Sequence, residues 1–220
     1  MPVDALVLVP GLGLGPEAWH PTVAALDSRL STVVVPLEGY GVPADRSADL
    51  RPEVLAGRLL EQAPGQGRLV LAGHSASSQV VAHAARQAPH RVAGLLLVGP
   101  TTDPRARGWV RLAGRWLATA VHERPGQVPA LVRQYHRTTL ATMARAMEAA
   151  RHDRIEETLT ATACPVLVVR GRHDRICPQG WAESLARTVT LPAGGHMVPL
   201  THGGPVAGSL GELVSAAESR

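Results

Sequence analysis

Ser75 stands in the run Leu71-Ala72-Gly73-His74-Ser75-Ala76-Ser77-Ser78, directly after an apolar stretch of strand length and before a stretch with helical spacing. A serine at a tight strand-to-helix turn, flanked by small residues at Gly73 and Ser77, is placed to act as a nucleophile, close to the G-x-S-x-G elbow. The turn lifts the hydroxyl above the sheet, and the helix behind it turns its positive end toward a reacting oxygen. A serine helix cap is the plain alternative, since serine is favoured there, and the elbow alone leaves the two readings even.

The company of Ser75 decides between them. A nucleophilic serine needs a neutral imidazole to take its proton and a carboxylate to orient that imidazole. Pro165-Val166-Leu167-Val168-Val169-Arg170-Gly171 reads as a strand running into Arg172-His173-Asp174, so Asp174 falls just past a strand end. Leu191-Pro192-Ala193-Gly194-Gly195-His196 places His196 in a glycine-flanked loop after the next strand. The order is Ser, Asp, His, with intervals of 99 (174 − 75) and 22 (196 − 174), each member following a different strand. Asp103, after an earlier strand, is a rival acid, and Asp174 can also be read as a turn-former. His74 reads as the elbow's spacer and His202 as a surface residue. A fourth segment, Val9-Pro10-Gly11-Leu12-Gly13-Leu14-Gly15, can present the amide of Leu12 beside that of Ala76 as an oxyanion site. Read alone it suggests a phosphate loop and a nucleotide-binding protein, a weaker alternative because it has G-x-G-x-G rather than G-x-G-x-x-G and lacks a terminal Gly-Lys-Ser/Thr.

The elements that must position these residues are legible as alternation. Val3 to Val9, Thr32 to Pro36, Arg68 to Ala72, Val92 to Val98, Val166 to Arg170 and Arg187 to Leu191 have strand character. Most are apolar without polar alternation, as expected of strands covered on both faces. Glu17 to Leu30, Leu50 to Gln62, Ser75 to Ala88, Gln179 to Ala186 and Gly208 to Glu218 have helical spacing. The alternation predicts an α/β fold with a mostly parallel, doubly wound sheet. Between Thr102 and Ala163 no strand signal occurs, and the interval is too long for a loop. It reads as a helical cap with helices over Arg105 to Ala120, Gln127 to Arg151 (broken or not) and Asp153 to Thr162. The expected organisation is therefore a core of residues 1–101 and 164–220 with a 102–163 cap over Ser75. Trp109, Tyr135 and Met143 are its candidate substrate-binding residues, although helix burial alone explains such side chains.

Composition bounds the rest. With 45% hydrophobic and 18% charged residues, the 220-residue chain is globular rather than disordered. Its 22 positive side chains are all arginine and exceed the 18 acids by four, without a basic stripe that would suggest nucleic acid. Arginines at helical spacing in the cap (107, 111 and 115; 133 and 137) can attract an anionic substrate, although a solvated face explains them equally. Cys164 and Cys177 form no ligand or redox motif and read as inert. No basic leader and no apolar run of spanning length occurs, so a cytoplasmic protein without metal or cofactor is expected.

These segments resemble the α/β-hydrolase-fold superfamily, in particular small esterases, lactonases, cofactor-free haloperoxidase-like enzymes and carbon–carbon hydrolases. The resemblance rests on Pro10-Gly11-Leu12-Gly13 with Trp19, Leu37-Glu38-Gly39-Tyr40-Gly41, Gly73-His74-Ser75-Ala76-Ser77, Gly171-Arg172-His173-Asp174 and Gly194-Gly195-His196. It implies a nucleophile at Ser75, an orienting acid at Asp174, a general base at His196, and a serine hydrolase of esters, lactones or thioesters. Carbon–carbon hydrolysis, acyl transfer, or a non-hydrolytic ligand-binding role on the same scaffold remain alternatives. Pro10 stands where the family often has His, Pro36 where it often has Asp, and Ser77 replaces the second elbow glycine. The family's usual first two strands have no room ahead of Val3, so six strands in the order 2-1-3-4-5-6 are expected.

Overall fold

The computed structural model describes residues 2–219. Six strands form one sheet: β1 (Ala5–Val9), β2 (Thr32–Val34), β3 (Leu69–His74), β4 (Val92–Val98), β5 (Val166–Gly171) and β6 (Arg187–Leu191). Their spatial order is β2-β1-β3-β4-β5-β6, all neighbours parallel, as the sequence predicts. The unbroken apolar runs follow from burial on both faces. Val7, Val9, Leu69, Leu71, Leu95, Leu97 and Val168 enter one core. Their alternates Leu6, Leu8, Val70, Ala72, Leu96, Val98, Leu167 and Val169 enter the other. Side chains alternate across a strand, so two helical layers each require their own apolar set.

The first core is covered by α1 (Pro52–Gln62) and α2 (Ser77–Gln87), the second by the terminal α8 (Gly203–Glu218). Between β4 and β5 the chain forms α3 (Trp109–Ala120), α4 (Val128–Thr138), α5 (Leu140–His152) and α6 (Ile155–Thr160). The long helical reading of Gln127 to Arg151 breaks at Thr139, whose φ of 68° is incompatible with a continuing helix. Its hydroxyl then accepts from the Thr142 amide and caps α5. Helices α5 and α6 are not merely laid on top: Ala146, Ala150 and Ile155 are buried in the first core. A further helix, α7 (Gln179–Leu185), packs Trp181 and Ala182 into the same core.

One expected helix is corrected. Glu17 to Leu30 forms only a 3-10 turn at Pro16–Trp19 and one α-turn at His20–Val23. Three-residue bonds from Ala25 to Thr22 and from Leu26 to Val23 then tighten the chain instead of extending it. Thr22 also commits its hydroxyl to the carbonyl of Pro199, anchoring this turn to the far end of the chain. In the other direction, α8 begins five residues before the expected Gly208, with Pro205 tolerated in its first turn. No helix of the described residues is long and apolar enough to cross a membrane.

Candidate active site

The site assembles at the C-terminal ends of β1, β3, β5 and β6, where open α/β sheets bind ligands. Ser75 follows β3 with a φ of 59°, the left-handed region that non-glycine residues rarely occupy. Such a conformation costs on the order of 1–3 kcal/mol and persists only where neighbours enforce it. Here they do. The Ser75 amide donates to the carbonyl of Val98 at 2.8 Å, tying the turn to β4. Gly73 must lack a side chain, since a Cβ would come within 2.6 Å of the Ser77 carbonyl oxygen. Ser77 contributes more than small size. Its buried hydroxyl accepts from the His74 amide at 2.8 Å and lies 3.0 Å from the carbonyl oxygen of Val9. The residue that departs from the G-x-S-x-G pattern thus links the elbow to β1, the strand that runs into the glycine-rich 10–15 loop.

Asp174 and His196 are brought together directly. The Nδ1–H of His196 donates to Asp174 Oδ2 at 2.7 Å, with both residues buried. Asp174 Oδ1 accepts from the amides of Ile176 at 2.9 Å and Cys177 at 3.0 Å, so the carboxylate is held on both oxygens. Because Nδ1 carries the donated proton, Nε2 of neutral His196 presents a lone pair, the tautomer a general base requires. Burial opposes protonation of His196, but the charge and hydrogen bond of Asp174, with the charge of Glu123, outweigh it and raise the pKa above 6.5. Gly99 lies under the pair: a Cβ there would meet Asp174 Oδ2 and His196 Nδ1 at 2.9 and 3.0 Å.

Ser75 meets this pair through its neighbour. The His74 and His196 ring centroids are 4.9 Å apart, and His74 Nε2–H donates to the His196 carbonyl at 3.0 Å. Burial, reinforced by His196, pushes the His74 pKa down to about 3, so His74 stays neutral and acts as a spacer with a defined bond. Among the described residues, neither the amide of Leu12 nor that of Ala76 donates to a protein acceptor. The adjacent amides are taken: Gly13 donates to Gly39 and Leu14 to Gly11.

The rival acid has another task. Asp103 is buried at the start of the helical segment between β4 and β5, where Oδ1 accepts from Arg105 and Oδ2 pairs with Arg115 of α3 at 2.7 Å. Burial alone would raise its pKa, but the two arginines hold it below the ordinary carboxylate value. Tyr135 and Met143 reach the glycine-rich 10–15 loop, for a Cβ on Gly13 would strike both side chains. Tyr135 and Leu131 also pack on a small cluster of Leu14, Ala18 and Met197, the last adjoining His196. Trp109 lies elsewhere, 45% exposed, with its Nε1–H on Glu148 and Arg151 stacked on its ring.

Sequence reasoning missed two supports. Arg170 on β5 is buried, and its guanidinium donates to the carbonyls of Cys177 at 2.7 Å and Asp174 at 2.9 Å, stapling the acid loop. A charged residue inside an otherwise apolar strand is the signal that marks it. Glu123 accepts from the amides of His196 and Met197. Its signal is being the sole acid among residues 104–147, beside eight arginines. Cys177 is buried, which raises its thiol well above the usual range and agrees with an inert side chain.

Comparison with known proteins gives the family and the fold. The profile of the Alpha/beta hydrolase family matches residues 6–208. A pimeloyl-[acyl-carrier protein] methyl ester esterase of Nitrosomonas europaea is 27% identical over 227 residues, covering 87% of this chain and 88% of that protein. Its counterpart from Aliivibrio salmonicida is 34% identical over 107 residues, covering 47% of this chain and 39% of that protein. Among solved structures, a hydrolase from Oleispira antarctica superposes with a TM-score of 0.80 at 15% identity, covering 96% of this chain and 91% of that one. The enol-lactonase from Burkholderia xenovorans gives 0.76 at 19% identity, covering 98% and 92%.

Proposed function

This chain belongs to the α/β hydrolase family, and from that premise we propose that it hydrolyses a small carboxylic ester through an acyl-Ser75 intermediate. The observation that carries this reading is His196, locked by Nδ1 to Asp174, with its ring 4.9 Å from that of His74 in the elbow. In the proposed reaction the Ser75 Oγ attacks the ester carbonyl carbon while His196 Nε2 takes its proton. Asp174 stays ionised, holds the tautomer and stabilises the imidazolium. The carbonyl oxygen, now negative, enters the space before the Leu12 and Ala76 amides, which have no internal partner to give up. As the tetrahedral intermediate collapses, the proton on His196 passes to the departing alkoxide, and the alcohol leaves. A water then surrenders its proton to His196 and attacks the acyl-enzyme, releasing the acid and restoring Ser75. The Ser75–His196 hydrogen bond forms in this scheme with substrate in place, as catalytic contacts often tighten only in the complex.

The helical segment serves as a lid that supplies the acyl pocket. Tyr135, Met143, Leu131 and Met197 give that pocket an apolar wall next to the oxyanion loop. A small leaving alcohol is in keeping with the methyl esters named for the Nitrosomonas europaea and Aliivibrio salmonicida relatives. The experiment is a panel of methyl and p-nitrophenyl esters of increasing acyl length, with Ser75→Ala in parallel. Turnover by the wild type with a loss of about 10⁴-fold or more in the variant is expected. Equal turnover by both proteins overturns the reading.

A further inference from the structure

Glu123 stands in the turn just beyond α3, and its carboxylate is spent on the backbone that carries the proposed base. Oε1 accepts from the His196 amide at 2.5 Å and from the Met197 amide at 2.9 Å. Oε2 accepts from the Gln127 side-chain amide at 2.9 Å, so both oxygens are fixed. With eight arginines in residues 104–147, an ion pair is the expected fate of a lone acid, yet Glu123 makes none among the described residues. Gly195 shows that the approach is built in: a Cβ there would come within 2.5 Å of Glu123 Oε1, so only glycine admits the carboxylate. One turn earlier, Thr119 Oγ1 accepts from the amide of Arg175, the residue after Asp174, at 3.0 Å. Thr119 in the last turn of α3 and Glu123 in the turn that follows it therefore hold the acid loop and the base loop from one end of one helix.

We propose that Glu123 is a positioning residue that clamps the His196–Met197 backbone to the inserted helices, holding the imidazole in register with Asp174 and adding a negative charge beside it. The proposal rests on the triad reading above. It makes the seating of α3 and the competence of the base one event: a substrate that shifts the lid shifts the peptide from which the imidazole hangs. The ionisable groups facing His196 are Asp174 from the loop after β5, Glu123 from the lid and His74 from the elbow. His74 is neutral, so the two carboxylates set the charge environment.

The test uses the full chain with a p-nitrophenyl ester and the variants Glu123→Ala, Glu123→Gln, Gly195→Ala and Ser75→Ala. Glu123→Ala leaves the two amides unheld and is expected to lower kcat about 10- to 100-fold with KM little changed, since misplacement of a catalytic group by about 1 Å costs on that scale. Gly195→Ala is expected to do the same by displacing the carboxylate. Glu123→Gln keeps an acceptor oxygen, so it retains kcat within a few-fold. Having lost a negative charge that favours the imidazolium, it moves the acid limb of the pH–rate profile to lower pH. Wild-type kcat in Glu123→Ala, or an unmoved limb in Glu123→Gln, overturns the clamp. If Glu123→Ala does not fold, the limb of Glu123→Gln decides alone. An inactive Ser75→Ala beside a wild-type-like Glu123→Ala refutes the clamp only. An active Ser75→Ala refutes the triad and the clamp with it.

Discussion

Replacing Asp174 by Asn while leaving Asp103 alone, and then the reverse, separates the two acids that the sequence left in competition. The Asp174 carboxylate has three donors: the Ile176 and Cys177 amides on Oδ1 and His196 Nδ1–H on Oδ2. In Asp174→Asn the amide oxygen keeps the two backbone donors by remaining at the Oδ1 position. The new NH2 group then faces His196 and can only donate, so Nδ1 must become an acceptor and the proton moves to Nε2. That tautomer presents an N–H to Ser75 where a lone pair is required. The fold survives, and the chemistry does not. A wrong tautomer at the orienting acid costs about 10⁴ in kcat, which at about 1.4 kcal/mol per decade is roughly 5–6 kcal/mol of transition-state stabilisation. Asp103→Asn disturbs a different set of bonds, to Arg105 and Arg115, and is expected to lower the melting temperature with kcat changed less than about threefold. The assay is steady-state hydrolysis of a p-nitrophenyl ester, with thermal melts to show that both variants are folded. A folded Asp174→Asn within tenfold of wild type, or an Asp103→Asn that loses activity without losing stability, refutes the assignment.

Three further outcomes follow from the same geometry. The rate should rise with pH through a midpoint above 6.5, because the base must be neutral while Asp174 and Glu123 favour its charged form against burial. A kcat/KM profile flat from about pH 6 to 8 contradicts this. Ser77→Ala strands the buried His74 amide and the Val9 carbonyl, at a cost of about 1–3 kcal/mol for an unsatisfied buried group. It should appear as a melting temperature lower by several degrees together with reduced kcat. Gly73→Ala forces a Cβ against the Ser77 backbone and should abolish activity or soluble expression, whereas Gly114→Ala, in open space on α3, should change neither.

The sheet was legible chiefly through its central strands, which are buried on both faces: every residue of Ala5–Val9 is apolar and buried. Strand order followed from the resemblance, with no room ahead of Val3 for the family's first two strands, rather than from any single residue. Asp174 and His196 were legible because each opens a loop after a strand, and the distance between them then follows from the sheet order. What was not legible depends on contacts that sequence spacing does not encode. Glu123 meets backbone amides 73 residues away, and a backbone amide carries no side-chain signature. The turn at Thr139 needs a positive φ that a threonine does not announce. The helical reading of Glu17 to Leu30 failed beyond Val23, where the amides of Ala25 and Leu26 close three-residue bonds and the α-turn does not propagate. Trp109 was grouped with Tyr135 and Met143 on composition alone, yet its side of α3 turns outward, to Glu148 and Arg151.

The central claim is that one serine among several neighbours is activated by a distant imidazole. Tryptic mass mapping after brief exposure to a fluorophosphonate tests it most directly, because the peptide Leu69–Arg86 contains Ser75, Ser77 and Ser78. The account predicts one adduct per chain, on Ser75, formed rapidly in the wild type and at a rate lower by orders of magnitude in His196→Ala. Labelling on Ser77 or Ser78, labelling that is indifferent to His196, or a chain that takes up no reagent while fully folded would contradict it.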